Sequence, residues 1–327
     1  MRQPASILAA ALTAIACQLT CTGVSAFSTM TMSSSTTTGS GLWTPIAIDA
    51  AKKFTVTQRE KLDQLGALDK EFGSIQIVGE PVDSPDTRVD SDNEDDTTIC
   101  TKIIHFQRHG QGYHNLICDM WREAGRPIDF DSPDPELNPV IRAEMVDPPL
   151  TELGRRQCSS VREGCSKLSP QVVIVSPLLR CIQTAKLSFR DHSDTAVTPW
   201  VSHEGCREEL GLLTGNKRRP ISEIRDDHPE IDFAAIEHEE DELWDAYGDR
   251  RETLLEKSDR IYDFLTSFVM QRPESEIAVV SHSAYLFTLL NAVMDIEDED
   301  LRSWFLTGEV RSLKVTYRKR ESNDGHR

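Results

Sequence analysis

Residues 102–110 read Lys-Ile-Ile-His-Phe-Gln-Arg-His-Gly. Lys102 to Phe106 is a short apolar run of strand length, and it delivers an Arg and a His at its carboxyl end. Two more apolar runs repeat this design. Gln171 to Val175 (QVVIV) leads into Ser176-Pro177-Leu178-Leu179-Arg180, and Ile277 to Val280 (IAVV) leads into Ser281-His282-Ser283. Helical patterns fall between and after the strands. Thr151 is placed to N-cap a helix that runs through Arg156 and Val161, and Leu178 to Leu187 reads as a second helix. Leu254, Ile261, Leu265 and Phe268 recur at helical spacing, a further helix starts at Ala284, and Val310 to Tyr317 reads as a last strand. Strands alternating with helices predict a layered α/β domain with a largely parallel sheet, whose ligands sit beyond the carboxyl ends of the strands.

Outward from this region the chain changes character. From Glu80 to Thr98 it is Asp, Ser and Pro with almost nothing apolar, a linker composition, which puts a domain boundary near Cys100. The preceding segment, residues 42–99 with that linker, forms an N-terminal extension in which Lys52 to Phe72 has helical character and Ser74 to Val78 is a candidate strand. Residues 100–319 form the main domain and 320–327 a polar tail. In residues 1–41, Arg2 precedes an apolar stretch from Ile7 to Ala16, and Val24-Ser25-Ala26 offers a small-residue cleavage pattern. The apolar run is too short to span a bilayer comfortably, so a signal peptide is expected and not a stable membrane insertion. The Ser25-Ala26-Phe27 junction and the acid-free Ser/Thr stretch after it resemble the bipartite presequence of algae with complex plastids. That resemblance implies delivery to a plastid, with plain secretion as the alternative.

The 327-residue chain is 38% hydrophobic and 28% charged, which is ordinary for a globular protein, and its formal net charge of −18 argues against a general nucleic-acid binder. Acid concentrated in runs leaves room for an anionic substrate at a locally basic site. None of the eight cysteines forms a CxxC pair, so buried free thiols are the default reading.

Arg108, His109, Arg180 and His282 thus arrive at one edge of one sheet. Singly, each has a bland reading as a structural histidine or a surface ion pair. Together they suit a phosphoryl group, whose oxygens match guanidinium forks. A neutral imidazole can attack it in line, and flanking cations favour the neutral form. Enough fixed positive charge makes a metal unnecessary.

Arg108-His109-Gly110, Leu150-Thr151-Glu152-Leu153-Gly154, Ser176 to Arg180 with Thr184-Ala185, and Val280-Ser281-His282 resemble, in order, the motifs of the histidine phosphatase (phosphoglycerate-mutase-like) superfamily. The segment His109 to Asn115 (HGQGYHN), Arg218 to Glu223 (RRPISE) and Ile231-Asp232-Phe233 resemble its plant and fungal branch. The resemblance implies a three-layer α/β/α sandwich with a mainly parallel central sheet and no cofactor. It implies His109 as the nucleophile that becomes phosphorylated, with Arg108, Asn115, Arg180 and His282 around the phosphate. The family's Cys-Arg-Glu variant points to Glu208 as the acid that protonates the leaving oxygen, with Glu209 as the alternate.

Lys217, Arg218 and Arg219 are candidates for a substrate's second anionic group, or else a surface basic patch. Gln107 stands where the family usually has a small apolar residue, and Ser281-His282-Ser283 where many members have His-Gly. The expected activity is a phosphomonoesterase acting through phosphohistidine on a phosphorylated small molecule, with a mutase as alternative. A non-catalytic phosphate-binding module is disfavoured because both His and both Arg residues are present.

Overall fold

The computed structural model describes residues 45–68, 70–82, 96–194 and 196–320. The expected presequence, most of the acidic linker and the polar tail after Arg320 lie outside the described residues.

The elements, in chain order, are helix α1 (Pro45–Gln64), strands β1 (Ile75–Pro81) and β2 (Thr98–Arg108), and helices α2 (Tyr113–Glu123) and α3 (Glu152–Ser160). Next come β3 (Val172–Val175), α4 (Leu179–Ser188), β4 (Trp200–Ser202) and α5 (Ile221–Asp227). The chain then forms α6 (Leu254–Asp263), β5 (Glu276–Ser281), α7 (Ser283–Thr288) and β6 (Val310–Lys319). Helices α6 and α7 each run on into a wider π turn, over Phe264–Val269 and Leu289–Val293.

The six strands lie in the order β1-β6-β2-β5-β3-β4. β2, β5, β3 and β4 are parallel neighbours, whereas β6 runs antiparallel to both β1 and β2. Alternate residues of the central strands enter different cores. Ile104, Phe106, Ile277 and Val279 pack with Ile261, Phe264, Leu286 and Leu289 on one face. Val173, Val175, Ala278 and Val280 pack with Cys181, Ile182, Ala185 and Ile224 on the other. Burial on both faces explains why β3 and β5 read as unbroken apolar runs. The result is the expected three-layer sandwich.

The boundary near Cys100 is corrected by the structure. β1 pairs with β6 along seven residues, so the extension completes the sheet. α1 packs Leu62 beside Phe287 and Ala292, and the rings of Phe54 and Trp304 meet edge to face at 4.5 Å. Cys118, Cys158, Cys165, Cys181 and Cys206 are buried free thiols.

Candidate active site

β2, β5 and β3 end together, as parallel neighbours in register must. Their ends carry His109, His282 and Ser176, and α4 adds Arg180. Gly110 permits a tight approach, since a Cβ there would lie 2.5 Å from the Gly154 carbonyl oxygen and 2.7 Å from Cys158 Sγ. That approach docks α3 beside the nucleophile's backbone. Thr151 caps α3 as expected, its Oγ1 accepting from Gly154 N at 3.0 Å.

His109 is 1% exposed, and its Nδ1 lies 2.6 Å from the Gly110 carbonyl oxygen. A carbonyl only accepts, so Nδ1 carries the proton and Nε2 keeps its lone pair. Burial, then Arg180 and Arg108, holds the imidazole well below its ordinary value and therefore neutral. The His282 ring lies 5.2 Å from that of His109, with its Nε2 2.9 Å from Ser176 Oγ and 3.3 Å from Cys181 Sγ.

Arg180 is fully buried and donates to the Gly215 carbonyl (2.7 Å) and Asn216 Oδ1 (2.9 Å). α4 has no side-chain cap of its own; Asp147 Oδ1 instead accepts from Leu179 N at 2.7 Å, which fixes the turn carrying Arg180. Arg108 donates to the Phe305 carbonyl at 2.7 Å. Burial pushes its pKa down only to about 10, so it stays a cation. The Nε of each guanidinium is buried with no partner among the described residues. Asn115 sits in the first turn of α2, its Oδ1 accepting from Gly112 N at 3.0 Å.

The two candidate acids differ in their surroundings. Glu208 accepts from the backbone N–H of Tyr285 (3.0 Å) and Ala284 (3.2 Å), just past His282. Burial, then the charge of Glu209, raises its pKa, against Lys257 and Arg180. Burial also opposes ionisation of Glu209, yet Lys257 and Arg251 hold it down to about 2. Glu209 is a fixed anion bonded to Arg251 and, at 2.7 Å, to Lys257.

The basic run is engaged elsewhere. Arg218 spends all five N–H donors on Glu204, at 2.7 Å, and on the carbonyls of Arg219, His238, Glu239 and Glu240. That corrects its reading as a substrate ligand, because no donor remains. Arg219 pairs with Asp147 and Asp227, and Lys217 with Asp245.

A further histidine of the HGQGYHN segment, His114, joins the site. Its ring lies 5.3 Å from that of His109, and burial, then Arg180, His109 and Arg108, keeps it neutral. Its proximity to Gly112, where a Cβ would lie 2.7 Å from the imidazole, is a possible signal only once the fold is known. Among the described residues, no group of three or more His, Cys, Asp or Glu side chains is arranged to hold a metal ion.

A buried neutral imidazole flanked by guanidiniums at the end of a parallel sheet defines a phosphoryl-transfer class of site. Residues 140–323 match the model of the histidine phosphatase superfamily (branch 1), and the chain belongs to that family, whose activities are phosphatase or mutase. Phosphoglycerate mutase-like protein 1 of Arabidopsis thaliana is 33% identical over 256 residues, covering 68% of this chain and 84% of the relative. A second Arabidopsis thaliana phosphoglycerate mutase-like protein is 32% identical over 249 residues, covering 66% and 85%. These place the chain in the phosphoglycerate-mutase-like branch. A solved structure, a putative alpha-ribazole-5'-P phosphatase from Escherichia coli, matches with a TM-score of 0.41 and 18% identity, covering 69% of this chain and 99% of that one. The Arg108-His109-Gly110 triplet precedes the matched residues, and β2 brings it to them.

Proposed function

We propose that the protein is a phosphomonoesterase that works through a phosphohistidine on His109. The observation that carries this reading is the Nδ1 bond to the Gly110 carbonyl, which leaves the Nε2 lone pair free on a ring that Arg180 and Arg108 keep neutral. Nε2 attacks phosphorus, and the P–O bond to the leaving group breaks with its electron pair on oxygen. Glu208 gives that oxygen its proton. Water then attacks phosphorus, the P–N bond breaks, and the Glu208 carboxylate takes the water's proton. Arg108, Arg180, His282 and Asn115 hold the phosphoryl oxygens, and no donor set for a metal is called upon. The substrate is a phosphorylated small molecule.

A second reading, a mutase, is favoured by one observation: His109 is 1% exposed, and shielding a phosphoenzyme from water serves transfer to a second hydroxyl. Two measurements decide. Glu208→Gln should lower kcat on an alkyl phosphate by about 100-fold or more, and far less on 4-nitrophenyl phosphate, whose anion leaves without a proton. Incubation with 3-phosphoglycerate should release phosphate faster than it forms the isomer; the reverse order would establish the mutase. Phosphatase activity surviving in His109→Ala would sink both.

A further inference from the structure

Behind Glu208 lies a buried ion cluster that the chemistry above does not use. Lys257, fully buried on α6, points its Nζ at Glu209 Oε1 at 2.7 Å. Arg251 bonds the other Glu209 oxygen, and its NH1 pairs with Asp131 at 2.9 Å. The acid loop also has anchors of its own. Arg260 already donates to the carbonyls of Gly205, Arg207 and Glu208, while its fork rests on Glu252. Arg207 anchors the same loop from its other side through Asp241.

What Glu209 adds is charge. Glu208 faces cations from several elements: Arg108 of β2, Arg180 of α4, and Lys257 of α6. It also accepts the N–H groups of Ala284 and Tyr285 on α7 and, at 3.3 Å on Oε1, that of Glu209, which seats its carboxyl against the neighbouring residue. All of these favour its carboxylate, which cannot donate a proton. Cys181 also interacts with Glu208, and burial holds its thiol protonated and uncharged. Glu209, next to Glu208 in the chain, opposes the cations as a fixed anion.

Taking Glu208 as the acid of the reading above, we propose that Glu209 is a positioning residue for proton transfer: clamped by Lys257 and Arg251, it sets a permanent negative charge beside Glu208 and so keeps the proton on it. The sign runs in both directions. Removing the anion should release the Glu208 proton at lower pH, and removing the Lys257 cation should hold it to higher pH.

The test is the basic limb of the pH profile of kcat/KM with glycerol phosphate, a poor leaving group. Glu209→Gln should move that limb down by about one pH unit and leave 4-nitrophenyl phosphate turnover at pH 7 near wild type. Lys257→Gln should move the limb up. A Glu209→Gln limb that stays in place, with both substrates slowed alike, overturns the proposal and leaves Glu209 a structural residue. If Glu209→Gln does not fold, Lys257→Gln decides alone, and a limb that is unmoved or lowered overturns it. Carbon-13 NMR titration of the Glu208 carboxyl, assigned by its loss in Glu208→Gln, reads the same shifts without substrate. Should Glu208→Gln spare glycerol phosphate turnover, it is the acid assignment that fails. Should it slow turnover while Glu209→Gln moves nothing, only the role of Glu209 fails.

Discussion

Two residues show how a side chain's partners overrule its reputation. Gln107, an amide where an apolar residue is usual, is fully buried and donates to Ser188 Oγ (2.8 Å) and the Gly308 carbonyl (3.1 Å). It ties β2 to α4 and to the loop before β6, so its polarity is structural. Arg218 looked like a ligand for a substrate anion because it stands in a run of three cations. It is 3% exposed and gathers four backbone carbonyls and Glu204 around one guanidinium. Removing it strands those acceptors in the interior. Arg218→Met should therefore cost about 3–5 kcal/mol of stability in urea unfolding, with KM of the surviving folded enzyme unchanged. A raised KM at wild-type stability would restore the ligand reading.

At the level of elements, the parallel part of the sheet was legible in the sequence. β3 and β5 are apolar on both faces, so Gln171–Val175 and Ile277–Val280 announce themselves without knowledge of their neighbours. β1 was harder to place. Its seven residues include Gly79, Glu80 and Pro81, and its partner β6 lies more than 200 residues away, so no local signal ties them together. The acidic stretch after β1 then looked like the end of a separate segment. The geometry makes the extension part of the domain: β1 covers an edge of β6 that would otherwise offer unpaired N–H and C=O groups to another chain. Leu62, Ala67 and Ile77 are buried by the same docking. A fragment beginning at residue 96 should lose roughly 3 kcal/mol or more of burial and melt about 6–12 °C lower. It should also scatter light at concentrations where the longer chain stays clear. Equal melting temperatures would mean that the extension contributes nothing to the fold.

For the molecule as a whole, the site was legible to the extent that sheet topology determines it. Parallel strands end at one edge, so Arg108, His109, Arg180 and His282 could be brought together on paper. His114 and the Glu209 cluster depend on how α2 and α6 pack, which no spacing reveals. That packing has a consequence for pH. His109, His114 and His282 are each kept neutral, first by burial and then by Arg180. In the unfolded chain each titrates near its ordinary value of about 6.5. Below that pH the unfolded state binds protons that the native state refuses, so stability falls as the pH drops through 6.5. At pH 5.5 each such imidazole costs about 1.4 kcal/mol relative to neutral pH. Glu208, Asp119 and Asp147, whose values are raised by burial, pull the other way, so the total slope mixes both. A single substitution separates them. His114→Gln carries no proton in either state, and its stability between pH 7.5 and 5.5 should fall by about 1.4 kcal/mol less than wild type. Parallel losses in urea titrations of the two proteins would mean that His114 takes up its proton in the native site, leaving an imidazolium, not a neutral ring, beside the nucleophile.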